Sequence, residues 1–394
     1  MNSFGSLKGR KILFLQGPMG LFFKRLDTNF RKKGALTYRI GLNMGDQFFS
    51  HKDNYTPFRG RAEEWSVFIK DFLELNKIDS VFLFGDCRFY QSILVEIAKT
   101  LNIEVFVFEE GYLRPHYITL EQYGVNGFSQ ISRDPEFYLS LPGQFICEPE
   151  HARNSKVKMV ISATLYYALS NLFSYKYPHY MHHRDFSAIK EAFYGIRGLL
   201  RKFLYAWREK GYLAEVTGRL SKQYYFVPLQ THNDFQILQH STYHSIEKFI
   251  IEVLESFESH APKGTYLIFK HHPVDRGRKN YRSFIHEQAE ILGIEERIII
   301  LYDVFLPELL KHARATVTIN STVGLTSISY GIPTLTLGEA IYDMEGLSNK
   351  DKSLNLFWNA YQEPNPDLYQ KFKQFLIHNT QLNGSFYGRI PKEL

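Results

Sequence analysis

The stretch Val81-Phe82-Leu83-Phe84-Gly85-Asp86 decides the fold class of the first part of the chain. Four consecutive apolar residues followed by a glycine are typical of a buried parallel strand that ends in a turn. A helical pattern follows at 88–101, and a second apolar strand pattern covers 104–108. Strand, helix and strand in this order indicate a βαβ unit, and therefore a parallel sheet of the doubly wound α/β class.

The same alternation occurs before this unit and again in the second half of the chain. Further strand patterns lie at 11–15, 36–42, 224–229, 266–269, 297–301, 316–319 and 333–337. We predict an α/β protein of the GT-B type, with two Rossmann-type domains that face a central cleft and a helical insert. The predicted boundaries are 1–150 for the first domain, 151–222 for the insert or connector, 223–365 for the second domain and 366–394 for a C-terminal helix and tail.

The composition is that of an ordinary globular protein, since 44% of the 394 residues are hydrophobic and 22% are charged. The net charge of +6 does not by itself indicate nucleic-acid binding, and it suits an anionic substrate or a negative membrane surface.

The two cysteines, Cys87 and Cys147, give neither a disulfide framework nor a zinc-binding spacing, which is typical of a reducing compartment. We find no secretory signal and no run of about 18 apolar residues, so we expect no membrane-spanning helix.

Two polar runs follow predicted strands of the second domain. Lys270-His271-His272-Pro273 comes after the strand at 266–269, and Asn320-Ser321-Thr322-Val323-Gly324 comes after the strand at 316–319. Ligands of open α/β sheets bind beyond the carboxyl ends of the strands, so both runs are candidates for holding a phosphorylated nucleotide. The simpler interpretations are a solvated basic turn and an ordinary helix cap, and the presence of both runs favours the nucleotide.

Each run contains groups that suit a phosphate. We expect Lys270 and His272 to neutralise its charge. We expect Asn320 to cap the following helix, which leaves the amides of residues 321–323 to attract an anion. Gly324 is expected to let the backbone approach the ligand closely.

The sequence favours a site without metal. Transferases that hold a diphosphate through a divalent metal commonly use an Asp-x-Asp pair, and none occurs here. We therefore expect cations and a helix dipole to hold the phosphate. His179, His182 and His183 lie close together, but a partly exposed aromatic loop is the preferred interpretation of this cluster.

Acidic residues follow strands in both halves of the chain. Glu109 and Glu110 follow the strand at 104–108, Asp86 follows the neighbouring strand, and Asp234 follows the first strand of the second domain. Chemistry at an anomeric carbon needs one group to assist an oxygen, and retention of configuration usually needs a second as nucleophile. We expect one carboxylate from each domain to act on a sugar, with structural capping as the alternative for each residue.

These motifs together resemble the capsule polysaccharide KpsS/LipB family, the β-Kdo transferases of capsule lipid-anchor synthesis. The matching stretches run from the first sheet to the tail: Gly85-Asp86-Cys87-Arg88, residues 108–115, residues 124–127, Pro228-Leu229-Gln230 with Asp234 and Gln236, residues 270–273 with Asp275-Arg276-Gly277, residues 320–325 and residues 380–387. The resemblance therefore covers nearly the whole chain.

The resemblance implies a glycosyltransferase, and the absence of an Asp-x-Asp pair makes us expect one that uses neither metal nor cofactor. It would take Kdo from CMP-Kdo and add it, with retention, to a glycerophospholipid of the (lyso)phosphatidylglycerol type, which begins the poly-Kdo linker of a capsular polysaccharide. On the matching motifs we expect Asp234 as nucleophile and Glu110 as acid/base, with Glu109 or Asp86 orienting it.

The resemblance also divides the binding residues between the domains. In the second domain, the CMP-Kdo contacts are expected from Gln230, Lys270, His271, His272, Pro273, Asn320, Ser321, Thr322 and Gly324. In the first, acceptor-side domain, Arg88 or Arg114 is expected to pair with the Kdo carboxylate.

The implied location is cytoplasmic and peripheral on the inner membrane of a Gram-negative bacterium, with other capsule synthesis and export proteins as candidate partners and no nucleic acid. Residues 195–210 combine basic side chains with Leu, Phe and Trp. They indicate either a helix on the membrane surface or a helix packed between the domains with a solvated basic face. Two other functions stay open: an inverting CMP-sugar transferase of the sialyl type, and a non-catalytic scaffold for capsule biosynthesis or export.

Overall fold

The computed structural model describes residues 6–143, 148–181, 188–232 and 235–394. The chain forms two compact units. Unit 1 contains residues 1–130, 144–188 and 374–394, and unit 2 contains residues 131–143 and 189–373. Each unit is built around its own sheet, so the two are described separately.

Twelve strands are described, and they are numbered in chain order. They are β1 (Lys11–Leu15), β2 (Leu36–Gly41), β3 (Tyr55–Pro57), β4 (Ser80–Phe84), β5 (Glu104–Glu110), β6 (Tyr117–Gln122), β7 (Tyr224–Pro228), β8 (Tyr266–Lys270), β9 (Ile298–Leu301), β10 (Ala315–Thr318), β11 (Thr334–Thr336) and β12 (Gln381–Asn383).

Fifteen α-helices are described over the same residues. They are α1 (Phe22–Lys32), α2 (Met44–Phe48), α3 (Trp65–Asn76), α4 (Phe89–Thr100), α5 (Pro135–Ser140), α6 (Lys156–Leu172), α7 (Ala188–Arg208), α8 (Tyr212–Thr217), α9 (Phe235–His240), α10 (Ile246–His260), α11 (Arg282–Ile291), α12 (Leu306–Lys311), α13 (Thr322–Ser329), α14 (Leu354–Phe357) and α15 (Pro366–Asn379). None of the described helices is long and apolar enough to cross a membrane.

The sheet of unit 1 has the order β12-β6-β5-β4-β1-β2-β3. The strands from β5 to β3 are parallel, and β6 and β12 are added antiparallel at one edge. Both faces are covered by apolar clusters, which is why β1 is a continuous apolar run. Ile12 and Phe14 pack in the cluster on one face, and Leu13 and Leu15 pack in the other.

The sheet of unit 2 has five parallel strands in the order β11-β10-β7-β8-β9. β7 lies at its centre, and all five of its residues are buried. Tyr225 and Val227 belong to the core on one face, whereas Tyr224 and Phe226 belong to the core on the other. Because β7 is flanked by β10 and β8, the residues that follow these three strands meet at one edge of the sheet.

The predicted α/β class with two Rossmann-type sheets is confirmed. The compact units differ from the predicted boundaries in three respects. Residues 131–143, predicted in the first domain, belong to unit 2. The helical segment at 151–222 is divided, because α6 belongs to unit 1 whereas nearly all of α7 and the whole of α8 belong to unit 2. Of the predicted tail at 366–394, residues 374–394 belong to unit 1, where β12 pairs with β6 and so satisfies the backbone groups of that edge strand.

Candidate functional site

The predicted nucleotide-binding runs come together at one edge of the unit 2 sheet. The amide of Leu229, just after β7, donates to the carbonyl of Lys270 at 2.9 Å. On the other side of β7, Nε2 of Gln230 donates to Oδ1 of Asn320 at 3.0 Å. Backbone and side-chain hydrogen bonds therefore join the ends of β8, β7 and β10 into one surface.

The first turn of α13 has a different cap from the predicted one. Ser321 is the N-cap, because its Oγ accepts the amide of Val323 at 3.2 Å. Asn320 does not cap the helix; its side chain is occupied with Gln230 and with the carbonyl of His240. The partial positive charge at the start of a helix still makes this turn suitable for an anion.

Gly324 is explained by a neighbouring tyrosine. A Cβ at this position would lie 2.1 Å from the hydroxyl oxygen of Tyr342. That hydroxyl donates to the carbonyl of Ser321 at 2.5 Å. The glycine therefore makes room for Tyr342 to support the start of α13, whereas the sequence suggested that it made room for the ligand.

Lys270 lies below the surface of this edge. Its side chain is buried, at 8% exposure, and Nζ donates to the carbonyl of Tyr302 at 2.6 Å. Burial lowers the pKa of the ammonium, and the carboxylates of Asp303 and Glu209 oppose this shift. Lys270 thus supports the chain that follows β9.

His271 is also buried, at 3% exposure. Its Nε2 accepts the amide of Tyr281 at 2.9 Å, and its ring lies 4.4 Å from the ring of Tyr302. Burial lowers the pKa of His271 to about 4, so the imidazole is neutral at neutral pH. A neutral, buried ring positions its neighbours and adds no charge for a phosphate.

The remaining residues of this run are more accessible. His272 is partly exposed, and its Nδ1 accepts the amide of Val274 at the start of the 3-10 turn Pro273–Gly277. Pro273 is exposed. Of the four residues predicted to contact the nucleotide here, His272 and Pro273 are the two that face solvent.

Sequence reasoning missed a buried contact between the chain after β7 and this 3-10 turn. The carboxylate of Asp275 is 1% exposed, and it accepts the amide of His232 at 2.9 Å and lies 2.7 Å from Nδ1 of the same residue. Asp275 belongs to a stretch that matched the family, but its sequence gave no sign of burial. Asp234, the predicted nucleophile, comes two residues after His232 and lies outside the described residues.

In unit 1, Glu109 lies at the end of β5. The amide of Glu110 donates to Oε1 of Glu109 at 2.9 Å. Burial raises the pKa of Glu109 to about 7; Glu110 and Asp86 add to the rise, and the Glu110 amide and Arg88 oppose it. A carboxyl group with this pKa exchanges protons readily near neutral pH.

Asp86 has a structural environment. It is 3% exposed; Oδ2 accepts the amide of Val125 at 2.8 Å, and Oδ1 accepts the Cys87 thiol at 3.1 Å. Burial raises the pKa of Cys87, followed by the effect of Asp86. These contacts are those expected from the alternative interpretation of Asp86, in which its carboxylate caps backbone groups.

Glu110 lines a cavity of about 220 Å³ in unit 1. The other lining residues are Gln16, Gly17, Pro18, Met19, Phe84, Arg88, Met159, Tyr166, Tyr167, Phe386 and Tyr387. Burial raises the pKa of Glu110, and Arg114 opposes the rise. Burial, with Glu110 next in importance, raises the pKa of Tyr387 to about 12. The cavity is thus lined by both a carboxyl and a neutral phenol.

The two predicted arginines have different positions. Arg88 precedes α4 and lines this cavity, with its guanidinium carbon 5.6 Å from the ring centroid of Phe84. Arg114 is exposed, and its Nε donates to the carbonyl of Gly111 at 3.3 Å. Tyr387 was not predicted as a site residue, although it ends one of the stretches that matched the family.

Over the residues that the structure describes, no group of three or more His, Cys, Asp or Glu side chains could hold a metal ion. His182 and His183 lie outside those residues. The expectation of a metal-independent site stays a prediction.

Comparisons with known proteins identify a matching family model, related sequences and solved structures. A sequence model of the family described as "Capsule polysaccharide biosynthesis protein" matches residues 79–387. The chain is 37% identical to "Capsule polysaccharide export protein KpsS" of Escherichia coli, over 97% of this chain and 98% of that protein. It is 34% identical to "Capsule polysaccharide modification protein LipB" of Neisseria meningitidis serogroup B, over 96% and 92%. Among solved structures, "Thermosulfurimonas dismutans KpsC, beta Kdo 2,7 transferase" matches over 93% of this chain and 99% of that one, at 14% identity and a TM-score of 0.39.

Proposed function

Because this chain belongs to the capsule polysaccharide biosynthesis family, we propose that it is a glycosyltransferase that moves Kdo from CMP-Kdo to a (lyso)phosphatidylglycerol acceptor. The family resemblance drawn from the sequence is confirmed. The observation that carries the transferase proposal is the meeting of the two polar runs with the residues that follow β7, where Gln230 is hydrogen-bonded to Asn320 and Leu229 to Lys270.

The CMP phosphate is held at this edge of unit 2. Its charge lies at the first turn of α13, where Ser321 and Thr322 are partly exposed, and His272 follows β8, on the other side of β7. Lys270 and His271 act from below, because they fix the chain around Tyr302. Neither a metal nor a cofactor takes part.

The transfer proceeds with retention through two displacements. Asp234 attacks the anomeric carbon of Kdo, forming a carbon–oxygen bond while the bond to the CMP phosphate breaks. Glu110 then takes the proton of the acceptor hydroxyl as that oxygen displaces Asp234. Glu109 orients this step, because it accepts the Glu110 amide. Arg88, which lines the same cavity as Glu110, pairs with the Kdo carboxylate, and Arg114 is the second candidate for this pairing.

The lipid acceptor places the reaction at a membrane. The protein is peripheral on the cytoplasmic side of the inner membrane of a Gram-negative bacterium, and the product begins the poly-Kdo linker of a capsular polysaccharide. Other proteins of capsule synthesis and export are its candidate partners.

The test is a transfer assay with the purified protein, lyso-phosphatidylglycerol and either CMP-Kdo or CMP-sialic acid, with products identified by mass spectrometry. We expect a Kdo-lipid that forms equally well with a chelator present, and no sialyl-lipid. Transfer of sialic acid alone would indicate the sialyl-type alternative. Absence of any transfer by a folded protein that still binds other capsule proteins would indicate a scaffold.

A further inference from the structure

Helix α7 of unit 2 has two faces of different chemistry. One face is seated on the rest of the unit. Tyr205 stacks on Tyr302 with ring centroids 3.9 Å apart, and the carboxylate of Glu209, just after the helix, accepts the amides of residues 302–304 at 2.8–3.1 Å. Arg197 and Arg201 donate to backbone carbonyls of residues 276–278. This face fixes the orientation of the whole helix.

The opposite face is apolar and exposed. Its large side chains, with their exposed fractions, are Phe193 56%, Ile196 64%, Leu199 58%, Leu200 66%, Phe203 68%, Leu204 40% and Trp207 74%. At 100° per residue these seven positions cover one continuous arc of about 140°. Seven exposed apolar side chains along one face of a helix mark a binding surface.

The charges around this face have one sign. Lys202, Arg208 and Lys210 are exposed beside it. Among residues 193–210, whose side chains the structure describes, the one carboxylate is Glu209, and it is buried. An apolar stripe bordered by cations is the pattern of a helix that lies in the surface of an anionic bilayer.

We propose that α7 is the membrane-docking helix of this protein, with its 193–207 face inserted into the surface of an anionic bilayer. The helix has 21 residues and lies parallel to the membrane over about 30 Å. The proposal goes beyond the transfer reaction and does not depend on it. Two of the basic residues of this segment, Arg197 and Arg201, seat the helix, whereas the large side chains on its exposed face are apolar.

Trp207 makes the docking directly observable. The protein has three tryptophans, and the other two, Trp65 and Trp358, are 0% exposed. Addition of vesicles that contain phosphatidylglycerol should therefore shift Trp207 emission to the blue, and brominated lipid should quench it. The protein should float with these vesicles and float about tenfold less with vesicles of phosphatidylcholine alone.

The decisive variant is Ile196→Ser/Leu200→Ser/Phe203→Ser. It changes exposed side chains only, so its circular dichroism and thermal unfolding should match the wild type, while its flotation should fall about tenfold or more. Leu75→Ser is the matched control, because Leu75 is 81% exposed on α3 of unit 1, and it should float like the wild type.

Three results would overturn the proposal. One is a wild-type protein that does not bind anionic vesicles. Another is a triple variant that still floats fully. The third is a wild-type dimer, seen by light scattering without lipid and lost in the triple variant, together with no flotation; that result would assign the face to a second copy of this chain. None of these measurements requires transferase activity, so they are independent of the proposed reaction.

Discussion

Nδ1 of His232 lies 2.7 Å from Oδ1 of the buried Asp275, and the amide of His232 donates to Oδ2 of the same carboxylate at 2.9 Å. These two contacts fix the chain two residues before Asp234, the proposed nucleophile. Because a nucleophile must be held in position to react, the pair should matter more for turnover than for donor binding.

The variant His232→Ala tests this role. It keeps the amide contact and removes the side-chain contact, so we expect kcat to fall about tenfold or more while the affinity for CMP changes little. His244→Ala, at an exposed histidine of the same unit, is the control and should behave like the wild type. An unchanged kcat in His232→Ala would show that the pair has no positioning role.

Glu109 should make stability depend on pH in a direction opposite to most carboxylates. Burial raises its pKa from the usual 4.5 to about 7, so the folded protein holds this proton more tightly than the unfolded chain. The tighter proton binding stabilises the folded protein fully below about pH 4.5. This stabilisation is lost as the pH rises from about 4.5 through about 7.

Removing this ionisation should stabilise the protein at alkaline pH. In urea unfolding, Glu109→Gln should match the wild type at pH 4.5 and be more stable than the wild type at pH 8. Glu96→Gln, which removes an exposed carboxylate from α4, should change little at either pH. Equal stability of Glu109→Gln and wild type at pH 8 would contradict a raised pKa.

Replacing two helical glycines by alanine should change the free energy of unfolding in opposite directions. In Gly324→Ala the new Cβ would lie 2.1 Å from the Tyr342 hydroxyl, so the free energy of unfolding should fall by about 1–3 kcal/mol. At Gly195 in α7 a new Cβ would meet nothing within 4 Å apart from its chain neighbours and the backbone of its own helix, so Gly195→Ala should raise the free energy of unfolding by about 0.5–1 kcal/mol. Thermal or urea unfolding of both variants measures the difference, and a neutral Gly324→Ala would contradict the packing at the start of α13.

The Ser321 cap should affect both stability and nucleotide binding. Ser321→Ala loses the contact to the Val323 amide, which should cost about 1 kcal/mol of stability and weaken CMP binding measured by calorimetry. Ser245→Ala is the matched control, because Ser245 caps α10 in the same unit; it should lose similar stability and keep its CMP affinity. If both variants bound CMP as the wild type does, α13 would not hold the phosphate.

The sheets could be predicted because their strands are apolar on both faces. The pattern at 266–269 became β8, which extends by one residue to Lys270. β12 was missed, because three residues of a polar tail form a strand only where the free edge of β6 is available. A local sequence pattern carries no record of such a distant partner.

The convergence of the candidate site could also be predicted, because parallel strands present their carboxyl ends at one edge. The detailed roles of the residues in this site could not be predicted from the sequence. Lys270 and His271 look like nucleotide ligands in the sequence, but Tyr302 accepts a hydrogen bond from Lys270, 32 residues earlier in the chain, and its ring stacks on His271. Burial by a residue so distant in sequence is a property of the fold alone.

The most direct test of the account is a crystal structure of the protein with CMP bound. We expect the phosphate at the first turn of α13, within hydrogen-bonding distance of the amides of Ser321 and Thr322 and close to His272. Nucleotide bound away from the ends of β7, β8 and β10, or a phosphate held through a metal ion, would contradict it.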